Sequence, residues 1–284
     1  VNGNELDWSI LGSVRREAAV RVPAYSFTPV RFTRFLERAN IDIRLKRYRH
    51  LSDHIIQSAM ILPGAFGLAR MLERLELPGM AMIDFMASAY VEQPISFGVG
   101  HENDFHVFCS DGVAITQAKE VERKIRIKKI PKPDGAKRFN KVEMYEKFRR
   151  NDFTFGNHFK TISWIETDKD GFGRAKIERR NELEVQIDAI FQCVIGGHLC
   201  YTPDDESIYL PFYCEQITVD RETLKKAAPL DVHFRLTTSA RAIHGDAHVY
   251  MGKRLVIELQ NFVMARRDKE KYIRPAVTPI TEQL

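Results

Sequence analysis

Apolar and polar positions change their period several times along this chain, and each change marks an element. Val1 to Leu36 has no period: Gly3, Asp7-Trp8, an Arg-rich turn and Val22-Pro23-Ala24-Tyr25-Ser26-Phe27 read as an extended strip with short aromatic anchors. From Ile41 the alternation of Ile41, Ile43 and Leu45 with Asp42, Arg44 and Lys46 predicts a strand. Pro63-Gly64 then opens a segment with Ala65, Leu68, Ala69 and Leu72 at helical spacing, which predicts a helix buried along one side and ended before Pro78-Gly79. Strand-like runs follow around Met80–Val91, Asp104–Cys109 and Val113–Arg126.

The polar stretch Lys129–Asn140, with two prolines and a glycine, predicts an internal linker. Beyond it the order recurs. Strands near Phe153–Glu166 and Ala175–Arg180 precede a helical pattern over Val185–Ile195, and strands follow around Ile208–Val219, Val232–Ala240, Ala247–Met251 and Leu255–Ala265. Each half therefore reads as antiparallel strands wrapped about one central helix, an α+β layout. The division is a strip over 1–36, a first half over 37–128, a linker over 129–140, a second half over 141–267 and a tail over 268–284. No sequence repeat links the halves.

Composition narrows the function classes. With 284 residues and 44% apolar content the chain can bury a substantial core, and no run approaches the roughly 18 to 20 apolar residues of a membrane span. A cytoplasmic location is expected. Cys109, Cys193, Cys200 and Cys214 are scattered, with no C-x-x-C pair and no His-rich partner, so they read as reduced small hydrophobes and no metal is expected. The net charge of +5 raises nucleic acid as a partner. The basic run Arg123–Lys129 alternates with apolar residues, however, as a solvated edge strand does, and no stacking or zinc-finger spacing accompanies it, so no nucleic-acid partner is expected. A basic surface also steers acidic protein partners.

Two segments carry candidate chemistry. His54 precedes the Pro63-Gly64 helix, and imidazole is the side chain best suited to take a proton from carbon near neutral pH. The helix start offers free backbone N–H groups and a positive dipole end, an oxyanion-hole arrangement for a thioester oxygen. Asp188 and Gln192, four apart in VQIDAIFQCVI, share a helix face among Ile190, Phe191 and Val194. Desolvation there would raise the Asp188 pKa and keep it available as an acid. By spacing alone His54 can also be a satisfied core histidine, and Asp188–Gln192 a surface pair near a helix start. A base and an acid on separate elements are what loss of water by β-elimination needs. No G-x-G-x-x-G or P-loop pattern occurs, so no bound cofactor is expected.

At these residues the chain resembles the dehydratase domains of type I polyketide synthases, which have a double-hotdog fold. The family's H-x-x-x-G-x-x-x-x-P motif is matched by His54, Ser58 and Pro63, followed by Gly64-Ala65, with only the glycine changed. Its D-x-x-x-Q motif is matched by Asp188 and Gln192, and its L-P-F-x-W strand by Leu210-Pro211-Phe212 with Cys214 in place of Trp. G-Y-x-Y-G-P-x-F survives weakly over Asp152–Phe159, including Phe155, Gly156 and Phe159. Gly3–Trp8 and Val22–Phe27 resemble the linker that follows an acyltransferase in such synthases, implying a piece of a longer multidomain chain.

The resemblance implies that His54 is the base, Asp188 the acid, Gln192 its hydrogen-bond partner and the Gly64 N–H the contact for the thioester oxygen. The substrate would be a 3-hydroxyacyl group on the phosphopantetheine arm of an acyl carrier protein, and the product a trans α,β-unsaturated thioester. Neighbouring synthase domains and a homodimer are further implied partners. Two departures bear on this. Phe155 cannot donate the hydrogen bond of the family's tyrosine, and Ser58 places a side chain near His54, narrowing the pocket or adding a hydroxyl. His158 is expected to be structural. Two other readings compete: an aldol cyclase like the product-template domains of non-reducing synthases, and a non-catalytic docking or dimerisation domain.

Overall fold

The computed structural model describes residues 34–111, 113–121, 129–202, 207–226 and 228–267. The strip over 1–33, the basic run up to residue 128 and the tail over 268–284 lie outside the described residues. The first half comprises β1 (Arg34–Ile41), β2 (His54–Ile56), β3 (Ala59–Met60), α1 (Gly64–Leu75), β4 (Gly79–Phe85), β5 (Ile95–Glu102), β6 (Phe105–Ser110) and β7 (Val113–Glu120). In the second half, β8 (Lys137–Asn140), α2 (Lys141–Arg150), β9 (Phe153–Phe155), β10 (Ile162–Thr167) and β11 (Phe172–Ile177) lead to α3 (Leu183–Tyr201). It continues through β12 (Ile208–Val219), α4 (Arg221–Leu224), β13 (Leu230–Thr238), β14 (Ala242–Met251) and β15 (Arg254–Arg267).

Twelve strands form one antiparallel sheet, ordered β1-β5-β6-β7-β4-β12-β15-β14-β13-β11-β10-β8. The order β1-β5-β6-β7-β4 of the first half is repeated as β11-β13-β14-β15-β12 in the second. In each set the central helix follows the first strand, so α1 and α3 occupy equivalent places. This is a double hotdog, and the duplication that no sequence repeat reveals is present in the topology. The seam is the β4–β12 pairing, from Thr218 opposite Gly79 to Tyr213 opposite Asp84.

The two central helices pack against each other inside the curved sheet. α1 starts after Pro63, which has no N–H to lose, and ends where Glu76 turns left-handed at φ 56°. It buries Phe66, Leu68, Met71 and Leu72. α3 is buried along its whole length from Leu183 to Cys200, as a helix apolar on most sides must be. The four cysteines are buried thiols. Among the described residues no helix is long and apolar enough to cross a membrane.

Some boundaries differ from the hydrophobic pattern. Ile41 ends β1 rather than opening a strand, because Asp42 folds the chain back by accepting from the backbone N–H and guanidinium of Arg44. The expected linker over 129–140 contains β8, which pairs with β10. Its last residue, Asn140, caps α2 in a capping box with Glu143. β5 is an additional strand, and the run expected over Met80–Val91 leaves the sheet at Phe85.

A second, three-stranded sheet, β3-β2-β9, positions the site. Gln57 (φ 48°) and Ser58 (φ 65°) make the two-residue turn between β2 and β3. On the other side β2 pairs with β9, His54 opposite Phe155, so a strand of the first half is bonded to a strand of the second.

Candidate active site

Polar side chains buried on a helix mostly find partners inside the protein, and for three of those on α3 the partners define the site. Helical spacing stacks Glu184, Asp188 and Gln192 on one face. Glu184 Oε1 lies 2.9 Å from Nε2 of buried His50. Asp188 Oδ2 accepts from Gln192 Nε2 at 2.7 Å. Asp188 Oδ1 lies 3.7 Å from His54 Nε2. Asp188 and Gln192 are both buried, so they are not a surface pair.

His54 is held by its backbone in β2 and by its ring nitrogen. Nδ1 is 2.8 Å from the Ile61 carbonyl oxygen, which can only accept. Nδ1 therefore carries the proton, and Nε2 turns its lone pair toward Asp188. The rings of Phe155 and Phe159 flank the imidazole at centroid distances of 5.5 and 5.3 Å. Burial pushes the Asp188 carboxyl above its usual range, opposed by the attraction of His54 whenever its ring is protonated and by the Gln192 hydrogen bond. A proton acceptor and a carboxyl that favours its protonated form thus meet, out of water.

Both groups line one cavity of about 310 Å³ at the seam between the halves. Its walls are largely apolar: Phe85 comes from the end of β4, Phe155 from β9, Phe191 from α3, and Leu210 and Pro211 from β12. Pro211 sits where the β12–β15 register shifts, a place that tolerates a missing N–H. Gly64, the first residue of α1, also lines the cavity at the positive end of that helix. A larger open depression around Asp220 and Arg254 shares no residue with it.

The remaining candidates fall outside the lining. Pro63 caps α1. The Gly156 N–H donates to the Asp53 carbonyl at 2.7 Å, and Phe159 is fully buried between His50 and His54. His158 pairs through Nδ1 with Asp53 Oδ2 at 2.9 Å and its backbone N–H donates to the same oxygen, a loop-holding arrangement. Ser58 neither narrows the pocket nor points a hydroxyl into it: it is exposed at the hairpin tip, because the left-handed turn carries the side chain away.

Sequence reasoning missed two groups. Tyr145 on α2 places its hydroxyl 3.0 Å from Gln192 Oε1, and His50 with Glu184 repeats the His–carboxylate pairing four residues before His54 and Asp188. The Asn140-x-x-Glu143 capping box followed by Met144, Tyr145 and Phe148 was the available signal for α2. The four-residue offset from His50 to His54, matched by that from Glu184 to Asp188 on α3, was the signal for the second pair. Among the described residues no cluster of three or more His, Cys, Asp or Glu is placed to hold a metal ion.

A family model described as the polyketide synthase dehydratase N-terminal domain matches residues 128–271, just over half of the chain. No curated protein matches by sequence. Among solved structures, the dehydratase domain of PpsC from Mycobacterium tuberculosis in complex with C12:1-CoA is 14% identical, with a TM-score of 0.62 over 81% of this chain and 92% of that one. The dehydratase domain from the CurJ module of curacin polyketide synthase is 12% identical, with a TM-score of 0.63 over 81% and 90%. A trans-AT polyketide synthase dehydratase domain from Brevibacillus brevis is 15% identical, with a TM-score of 0.61 over 81% and 93%. At such identities the likeness carries the fold alone, while the family rests on the extent of the sequence match. This chain belongs to the polyketide synthase dehydratase family.

Proposed function

We propose that this domain removes water from a 3-hydroxyacyl thioester carried on the phosphopantetheine arm of an acyl carrier protein, with His54 as base and Asp188 as acid. The observation that carries the reading is the 3.7 Å separation of His54 Nε2 and Asp188 Oδ1, buried at one cavity. His54 Nε2 takes the α-proton as the C–H bond breaks. That electron pair forms the double bond, the β C–O bond breaks, and Asp188 gives its proton to the departing hydroxyl, so that water leaves. The enzyme is left with a protonated imidazole and a carboxylate. Their proximity supports direct return of the proton, which restores the starting state.

The Gly64 N–H would hold the thioester oxygen as it gains negative charge, aided by the α1 dipole. The apolar walls suit an acyl chain, and the cavity lies at the small end of the usual range for ligand pockets, about 300–1,000 Å³. That size supports a single extended acyl group over the folded poly-β-keto chain of a cyclase. Convergence of base and acid on one cavity supports catalysis over a docking role. The positive balance of the chain suits an acidic carrier protein.

The test is mass spectrometry of a carrier-bound 3-hydroxyacyl substrate, with loss of one water as the expected product signal. His54→Ala and Asp188→Asn are each expected to lower turnover by about 10²–10⁴-fold. Near-full turnover in both variants would overturn the assignment, and a cyclised product from a poly-β-keto mimic would favour the aldol reading.

A further inference from the structure

The orientation of Asp188 depends on an amide that could face either way. Gln192 Nε2 donates to Asp188 Oδ2 at 2.7 Å, and half a turn of that amide would present Oε1 to the carboxyl instead. Two contacts select the orientation: Nε2 also donates to the Phe159 carbonyl at 3.2 Å, and Oε1 meets the Tyr145 hydroxyl of α2 at 3.0 Å. The Tyr145 hydroxyl accepts from the Ile162 N–H at 3.0 Å, which leaves it one proton and two acceptors within reach. These are Gln192 Oε1 at 3.0 Å and the Phe159 carbonyl at 3.1 Å.

The Phe159 carbonyl already receives the Thr161 N–H at 2.9 Å and Gln192 Nε2 at 3.2 Å, which fills its two lone pairs. Gln192 Oε1 has no other donor among the described residues. Burial pushes the Tyr145 phenol far above its ordinary value, so its proton stays in place.

We infer that Tyr145 is a positioning residue that acts through Gln192: by donating to Oε1 it keeps Nε2 toward Asp188 Oδ2 and so leaves the acid proton on Oδ1, the oxygen facing His54 and the cavity. An N–H aimed at Oδ2 excludes a proton from that oxygen. With the amide reversed, Oε1 would accept the carboxyl proton on the side away from substrate, and the acid would be both weaker and misdirected. The hydroxyl acts from α2, whereas the family's tyrosine position on β9 is occupied by Phe155, whose ring lies 6.1 Å from that of Tyr145. This inference rests on the acid role proposed for Asp188. The groups facing that carboxyl are His54 from β2, neutral Tyr145 behind Gln192 from α2, and, one turn away on α3, Glu184, itself paired with His50.

The experiment compares Tyr145→Phe, Gln192→Ala and the double variant. Its readouts are turnover against pH and, on protein labelled with 13C-aspartate, the carboxyl titration of Asp188. Tyr145→Phe keeps the ring and is expected to lower kcat roughly tenfold with little change in KM, the loss of about one hydrogen bond's worth of orientation. It is also expected to move the Asp188 titration and the alkaline limb of the rate profile to higher pH, because a donor to the carboxylate is lost. In the Gln192→Ala background the same substitution should add nothing. An unchanged Asp188 titration in Tyr145→Phe, or a tenfold loss that persists without Gln192, would overturn the inference. If the unaltered domain forms no enoyl product, the dehydratase reading fails while the titration still reads the role of Tyr145.

Discussion

Ser58 stands where the resembling family has glycine, and its backbone explains the family's choice. At φ 65° it occupies a region in which an L side chain crowds its own carbonyl, as does Gln57 beside it at 48°. Ser58→Gly is therefore expected to raise stability by about 0.5–1 kcal/mol, measured by urea unfolding; a loss would show that the serine stabilises the turn. Asp188 carries a cost of a different kind. Its folded-state pKa is raised, so its contribution to stability is present below the unfolded pKa and lost as pH rises through the folded one. At pH 7 the ionised form is a desolvated charge. Asp188→Asn, neutral throughout, should stabilise the fold by roughly 1–2 kcal/mol at pH 7 while lowering the proposed turnover as above. That advantage should shrink in acid, where Asp188 is protonated as well; equal melting of the two proteins at both pH values would refute the account.

The central helices approach the sheet so closely that glycine is required at the contacts. A Cβ on Gly197 of α3 would lie 2.6 Å from the Phe234 ring and 2.8 Å from Leu236, and Phe234 is itself fully buried over Gly173 of β11. The ring has nowhere to move. Gly197→Ala is expected to cost about 1–3 kcal/mol, read as a drop in thermal midpoint, and Gly67→Ala in α1, against Phe108 and Thr116 at 2.9 Å, should behave alike. These elements differed in how readably the chain announces them. Both central helices and β12 were legible because long apolar periods fix them. β5 was not, because Gly98 and Gly100 between its alternating Ile95, Phe97 and Val99 read as loop residues, and α2 was hidden by charge, with only Met144, Tyr145 and Phe148 turned inward. Of the site, His54, Asp188 and Gln192 were legible as motif residues. The part played by Tyr145 was not, because its hydroxyl meets Gln192 across 47 residues of chain, a proximity no local spacing encodes.

Seen as a whole, the molecule is two copies of one strand order joined edge to edge through β4 and β12, with the cavity at the join. Neither copy holds a complete site: the first brings His54 and the start of α1, the second Asp188, Gln192 and the aromatic cover of Phe155 and Phe159. The two are also bonded at His54, since β2 pairs with β9. Because a ribosome releases the N-terminal half first, the imidazole emerges well before the strand that borders it or the carboxyl that opposes it. The proposed acid–base pair would therefore come into being only when the later copy closes against the earlier one.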